Sequence, residues 1–213
     1  MPACIYVLAG VNGAGKSSIG GALFAASQVD YYNPDLAARS LLEASPGLSQ
    51  AAANAGAWDV GRRGLVRALE TGGTYAFETT LGARTIPDLL MKGAANGAAV
   101  HVWYAGLATP ELHIQRVNER VAAGGHPIAA AKIRERFNGS RENLIRLLPH
   151  LASLRVYDNS ENNDPKQGAS PTPVLILHME GRRIRASARA VPQWAKPIVM
   201  AALRCDAAAR GSL

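Results

Sequence analysis

Gly10-Val11-Asn12-Gly13-Ala14-Gly15-Lys16-Ser17 matches the pattern G-x-x-x-x-G-K-[ST] at every position. It follows the apolar run Cys4-Ile5-Tyr6-Val7-Leu8-Ala9, which reads as a buried strand, and it precedes 17–26, which reads as a helix. Strand, loop and helix in that order are the context this motif needs. The glycines let the backbone wrap closely around phosphates with its N–H groups pointing inward. The helix N-terminus adds a partial positive charge. Lys16 is placed to reach the β- and γ-phosphates, and the Ser17 hydroxyl to ligate a magnesium ion. Gly10, Asn12, Gly13, Ala14, Gly15, Lys16, Ser17 and Ser18 are therefore the expected nucleotide-binding set. A chance glycine-rich turn would not supply the lysine, the hydroxyl and the flanking elements together.

Outward from the loop, strand-like and helix-like stretches alternate. Val29-Asp30-Tyr31-Tyr32 is short and β-prone. Asn33-Pro34-Asp35 then breaks the chain, with Asp35 expected as a helix cap before Leu36-Ala37-Ala38. Pro46-Gly47 is a turn, and 48–70 is a helix stopped by Gly72-Gly73. Tyr75-Ala76-Phe77 is a short strand ending in Glu78-Thr79-Thr80, and 86–95 is a helix closed by Asn96-Gly97. Ala99-Val100-His101-Val102-Trp103-Tyr104 has the unbroken apolar character of a buried parallel strand. Pro110-Glu111 opens a helix to about Ala122, Gly124-Gly125-His126-Pro127 interrupts it, and 129–148 resumes it until Pro149. Leu154-Arg155-Val156-Tyr157 is the next strand, closed by Asp158-Asn159-Ser160. A polar linker over 159–173 leads to a hairpin, 174–178 and 184–188. A terminal helix over 192–204, disturbed by Pro197, ends in a frayed Ala-rich tail.

This alternation predicts an α/β fold: a P-loop NTPase three-layer sandwich with a central, mostly parallel sheet, a helical lid, and a C-terminal hairpin plus helix. Residues 1–160 form the expected core, with the lid around 110–148. Residues 161–213 supply linker, hairpin and helix packed on that core, giving a single domain. Such sheets bind ligands beyond the carboxyl ends of their strands. Asp35, Glu78 and Asp158 each follow an expected strand and should face the nucleotide cleft.

Phosphoryl transfer needs positioning, charge neutralisation and a carboxylate that orients the attacking hydroxyl. Asp35, about 20 residues beyond the loop, is the candidate base. Glu78, Thr79 and Thr80 offer a carboxylate and two hydroxyls, suited to binding an acceptor hydroxyl or orienting the magnesium; a turn motif is the plainer reading. Arg116, Arg120, Arg134 and Arg136 flank the glycine break, and Arg116 and Arg120 share a helix face at i, i+4. Two arginine-bearing helices joined by a glycine-rich loop suit a lid that closes guanidinium groups onto the phosphate; a solvated helical hairpin is the alternative. His126 fits a loop-shaping role at least as well as a chemical one. Trp58, Trp103 and Trp194 read as packing residues.

The net charge of +7 comes from residues scattered along the chain rather than from one block, which argues against nucleic acid as the principal partner. Arg182-Arg183-Ile184-Arg185 suits the charged tip and edge of a hairpin. No apolar run approaches the roughly 20 residues that span a membrane, and the N-terminal run is too short for a signal peptide. Cys4 and Cys205 have no metal or redox spacing and fit reduced cysteines of a cytoplasmic protein.

Taken in order, the residues resemble the zeta toxin family of P-loop kinases, especially its short stand-alone members. The resemblance rests on Gly10 to Ser18, Asn33-Pro34-Asp35, Phe77-Glu78-Thr79-Thr80-Leu81-Gly82, Arg116-Val117 through Arg120-Val121, Gly124-Gly125-His126, Asn143-Leu144 and Tyr157-Asp158-Asn159-Ser160. It covers roughly residues 4–160. It implies phosphorylation of a small molecule by ATP or GTP with Mg2+, the best-known family activity being 3′-phosphorylation of UDP-N-acetylglucosamine. It implies that Asp35 is the catalytic base, that Glu78 and Thr79 line the substrate pocket, and that Arg116 or Arg120, with Arg134, contacts phosphate. An antitoxin protein is the implied partner. The chain is shorter than the plasmid-borne toxins, and its glycine-rich His126 turn belongs to the stand-alone branch, so the acceptor stays open. Two other classes remain open: an ATPase or nucleotide switch with no small-molecule acceptor, and a nucleic-acid-binding P-loop protein. The chain has no LSGGQ-like signature and no apolar run ending in Asp-Glu, which argues against transporter-type ATPases.

Overall fold

The computed structural model describes residues 1–16, 19–20, 31–161 and 173–211. The expected helix over 17–26, with Ser17 and Ser18, lies mostly outside the described residues, as does most of the 159–173 linker. The described elements are β1 (Cys4–Ala9), β2 (Tyr31–Tyr32), α1 (Pro34–Ala44), α2 (Gln50–Thr71), β3 (Thr74–Thr79), α3 (Thr85–Ala95), β4 (Ala99–Gly106), α4 (Pro110–Ala122), α5 (Ala130–Leu147), β5 (Ser153–Asp158), β6 (Val174–Glu180), β7 (Arg183–Ser187) and α6 (Lys196–Gly211).

The strands form one sheet in the order β2-β3-β1-β4-β5-β6-β7. The first five run parallel, and β6 and β7 extend the sheet antiparallel. This is the expected α/β three-layer fold around a mostly parallel sheet. β1 and β4 lie in the middle and are the most apolar strands. Ile5, Val7, Leu8, Ala9, Val100 and Val102 are all buried. The main core lies on one face, where Ile5, Val7, Val102 and Val156 meet Leu65 of α2, Leu90 of α3, Leu144 of α5 and Ile198 of α6. On the other face Leu8, Ala76 and Ala105 pack with Ala14 and Ile19.

The caps explain the element boundaries. Ser49 Oγ accepts from the Ala52 N–H to start α2, which ends on Gly72 in the left-handed region. Thr109 caps α4 ahead of Pro110 at the first turn. Asp35 differs from expectation. It lies inside the first turn of α1, and the cap is Asn33, whose side chain accepts from the Asp35 and Leu36 N–H groups. Glu78 and Asp158 likewise belong to the last residues of their strands rather than to the loops beyond. At the C-terminus a 3-10 turn, Gln193–Ala195, leads into α6, which runs regularly to Gly211 instead of fraying near residue 204. Pro197 does not break it, because the first turn of a helix has no use for that N–H.

Register fixes the geometry of the site. Leu8 pairs with Glu78 and Ala9 with Thr79, while Gly106 pairs with Asp158. Tyr32 pairs with Phe77, so the next residue, Asn33, comes out beside Glu78. Among the described residues no helix is long and apolar enough to cross a membrane.

Candidate nucleotide and acceptor site

The loop after β1 is held open by its glycines and by side chains from distant elements. Gly13 and Gly15 have φ of 82° and 77°, a region that favours glycine. A Cβ on Gly13 would lie 2.7 Å from the His113 carbonyl oxygen, and one on Gly15 would collide with the Asn159 amide. That amide donates to the Ala14 carbonyl at 3.0 Å. The residue before it, Asp158, is tied to the C-terminal segment: Trp194, 3% exposed, donates from Nε1 to Asp158 Oδ1 at 3.1 Å.

Asn12 is gripped from both α4 and α5. The buried His113 of α4 donates from Nδ1 to the Asn12 carbonyl at 2.9 Å, and Arg136 of α5 donates to Asn12 Oδ1 at 2.7 Å. Burial pushes the His113 imidazole down to about 4; the hydrogen bond to Asn12 opposes this, and the positive charges of Lys16, Arg116 and Arg141 add to it. The ring is therefore neutral at physiological pH. Burial also lowers the Arg136 guanidinium, against the opposing pull of Asp35 and Glu135.

Lys16 is 6% exposed, with Nζ 3.4 Å from Glu78 Oε1 and 3.5 Å from the Val11 carbonyl. Glu78 also accepts a hydrogen bond from Asn33 Nδ2 at 3.2 Å. Asp35 faces α4 and the loop after it, with Oδ2 3.5 Å from Arg120 Nη1 and Oδ1 3.9 Å from His126 Nε2. The hydroxyls of Thr79 and Thr80 accept from the Leu81 and Gly82 N–H groups, which builds the turn after β3. In that turn Leu81 takes a left-handed φ of 52°, and the buried Asn143 holds it by donating to the Leu81 and Ala83 carbonyls at 2.7 and 3.3 Å.

Beside the loop lies a cavity of about 240 Å³, lined among others by Asn12, Asp35, Trp58, Glu78, Thr80 and Arg136. Trp58 departs from expectation: it is half exposed and forms cavity wall, with the Arg62 guanidinium 5.9 Å from its ring centre. Trp194 is a packing residue, as expected.

The structure thus brings Lys16, Asp35, Glu78, Thr79, Thr80 and Arg120 of the expected set to one region, with Asn12. Arg116 instead donates to the Glu161 carbonyl at 3.3 Å. Arg134 lies on the exposed side of α5, 3.3 Å from Glu111, and Arg136, two residues on, faces Asn12. Ser17 and Ser18 lie outside the described residues. Sequence reasoning gave no role at the site to His113, Asn33, Asn143 or Trp194. Asn33 and Asn143 stand within the quoted motifs, but their contacts, like those of His113 and Trp194, are made with residues as far as 101 positions away in the chain, so the sequence does not reveal what they hold.

No family model matches the chain. Over 63 residues it is 32% identical to an uncharacterized protein of Haemophilus influenzae, an alignment covering 30% of this chain and 45% of that protein. Among solved structures it is similar to the AvrRxo1-ORF1:AvrRxo1-ORF2 complex with sulphate ions, at a TM-score of 0.60 and 16% identity; the match covers 95% of this chain and 64% of that chain. The same complex with ATP gives 0.60, 17%, 95% and 64%. A structure from the PezAT chromosomal toxin-antitoxin system of Streptococcus pneumoniae gives a TM-score of 0.54 at 15% identity, covering 96% of this chain and 85% of that chain. At these identities the likeness is one of fold.

Proposed function

We propose that the chain is an ATP-dependent phosphotransferase that moves the γ-phosphate of ATP (or GTP) to a hydroxyl of a small acceptor. The observation that carries this reading is the cavity itself. Two carboxylates, Asp35 and Glu78, share it with Asn12 of the phosphate loop and with Arg136. A hydrolase needs room only for water, whereas this cavity of about 240 Å³ opens beside the loop with carboxylates, hydroxyls and a guanidinium among its lining groups.

The backbone N–H groups of 10–16 and Lys16 receive the phosphates. Asp35 accepts the proton of the acceptor hydroxyl as it attacks, and Glu78, with Thr79 and Thr80, holds the acceptor. Arg120, beside Asp35, and Arg136, beside Asn12, supply positive charge to the transferring group. Arg116 and Arg134 join them only by leaving Glu161 and Glu111. A magnesium ion fits the donor chemistry: Mg2+ takes one or two protein oxygens plus phosphates and needs no cage. Ser17 is the candidate ligand, and among the described residues no cluster of three or more His, Cys, Asp or Glu is arranged to hold a metal. When bound, the ion neutralises charge on the phosphates.

A nucleotide sugar such as UDP-N-acetylglucosamine is the acceptor suggested by the family resemblance. The fold shared with a protein of a toxin-antitoxin system supports an antitoxin-type partner. A cytoplasmic location suits a protein that consumes ATP. The test is transfer from γ-labelled ATP to UDP-N-acetylglucosamine and to a metabolite extract, with a no-acceptor control. Label should enter an acceptor, and Asp35→Asn should lower that transfer by about 10²–10⁴-fold while sparing ATP affinity. Label released only as free phosphate with every acceptor would refute the kinase reading in favour of a hydrolase.

A further inference from the structure

Asn33 touches both carboxylate-bearing elements of the site. Its Oδ1 accepts from the N–H groups of Asp35 at 2.9 Å and Leu36 at 3.2 Å, and its Nδ2 donates to Glu78 Oε2 at 3.2 Å. The other Glu78 oxygen lies 3.4 Å from Lys16 Nζ. The two ends of this amide are not interchangeable. The side facing α1 meets two N–H donors and must be the oxygen, which leaves the NH2 for the carboxylate.

We propose that Asn33 is a positioning residue that fixes Glu78 relative to the backbone of Asp35 and, through Glu78, sets where Lys16 waits for the nucleotide. This rests on the reading of Asp35 as base and Glu78 as part of the acceptor pocket. The choice of residue type supports it. Asp, Ser and Asn all cap helices well, so capping alone does not call for Asn. Of the three, Asp has no proton to give Glu78, and Ser reaches one bond less far. The register that pairs Tyr32 with Phe77 presents residue 33 to residue 78, so the amide bridges without distortion.

Asn33→Asp separates the two roles. The cap survives, because the new carboxylate still accepts from α1, but the oxygen now facing Glu78 repels it. The experiment measures thermal unfolding and MgATP affinity by calorimetry for Asn33→Asp, for Asn33→Asp/Glu78→Gln and for Asn33→Asp/Glu78→Ala. The first variant should unfold within about 3 °C of the parent and bind MgATP about tenfold more weakly. In the Glu78→Gln double variant the new amide donates to the carboxylate introduced at position 33. The hydrogen bond re-forms with its ends exchanged, and affinity should return to within about threefold. The Glu78→Ala double variant restores the net charge without the bond and should stay weak. Parental affinity in Asn33→Asp, no recovery in the Gln pair, or equal recovery in the Ala pair would each overturn the proposal. Asp35→Asn, run in parallel for ATP turnover, keeps the two ideas apart: full turnover there refutes the base assignment whatever the Asn33 series shows.

Discussion

Replacing His113 by Asn should flatten the acid sensitivity of the fold. His113 is 1% exposed, and its imidazole is held near 4 against an ordinary value of 6.5. The unfolded chain takes up a proton as the pH falls through 6.5, while the folded chain refuses it until near 4. The unfolded state therefore binds more protons in this window, and stability falls as the pH drops. At 1.36 kcal/mol per unit, the full shift amounts to about 3 kcal/mol, of which about 2 kcal/mol is lost by pH 5. Asn presents an amide donor near the position of Nδ1, so the Asn12 carbonyl keeps its partner, and it has nothing to titrate. The smaller side chain should cost about 1–3 kcal/mol at pH 7 through lost packing, including the edge contact with Phe137. The decisive quantity is the slope. Between pH 7 and pH 5, urea unfolding followed by circular dichroism should show the parent losing about 2 kcal/mol more than the variant. His101 and His178, whose imidazoles are also pushed down by burial, are common to both proteins and cancel in the difference. Parallel pH dependences would refute the argument, since they would mean that His113 takes up its proton equally in both states.

Gly15→Ala combines a left-handed φ with a collision against the Asn159 amide; MgATP affinity by calorimetry should fall at least about tenfold, given roughly 1–2 kcal/mol for the backbone alone. Trp194→Phe keeps most of the packing but strips Asp158 of its Nε1 donor. It should cost about 1–2 kcal/mol, read as a fall of roughly 2–8 °C in thermal midpoint, and should weaken ATP binding through Asn159. Arg136→Lys keeps the charge but replaces the planar fork that grips Asn12 Oδ1. Its signature should be about tenfold slower phosphoryl transfer with a near-parental midpoint.

Much of the fold was legible because its signals are local. The run Cys4 to Ala9, the glycine loop and the apolar Ala99 to Tyr104 each carry their structure in residue type, and the element order fixed the sheet class. Boundaries slipped where two local rules competed. Asp35 and Asn33 are both good caps, and only the placement of Pro34 at the first helical position awards the cap to Asn33. Pro197 counts as a breaker within a helix but not at its start, and the Ala-rich tail expected to fray continues the helix to Gly211.

The site divides along the same line. Sequence alone placed a loop of the pattern G-x-x-x-x-G-K-[ST] after a buried strand, and singled out Asp35, Glu78 and the arginines of 116–136 as candidates. Those statements depend on spacing and on side-chain type. Only the tertiary structure decided which of them meet. It turned Arg136 rather than Arg134 toward Asn12, set Asn33 against Glu78, locked the loop to α4 through His113, and exposed Trp58 in the cavity wall. The reason is geometric. A helix rotates about 100° per residue, so neighbours such as Arg134 and Arg136 leave it on different sides. Which side faces the loop is settled by how α5 packs against the rest of the chain, and no stretch of sequence contains that packing by itself.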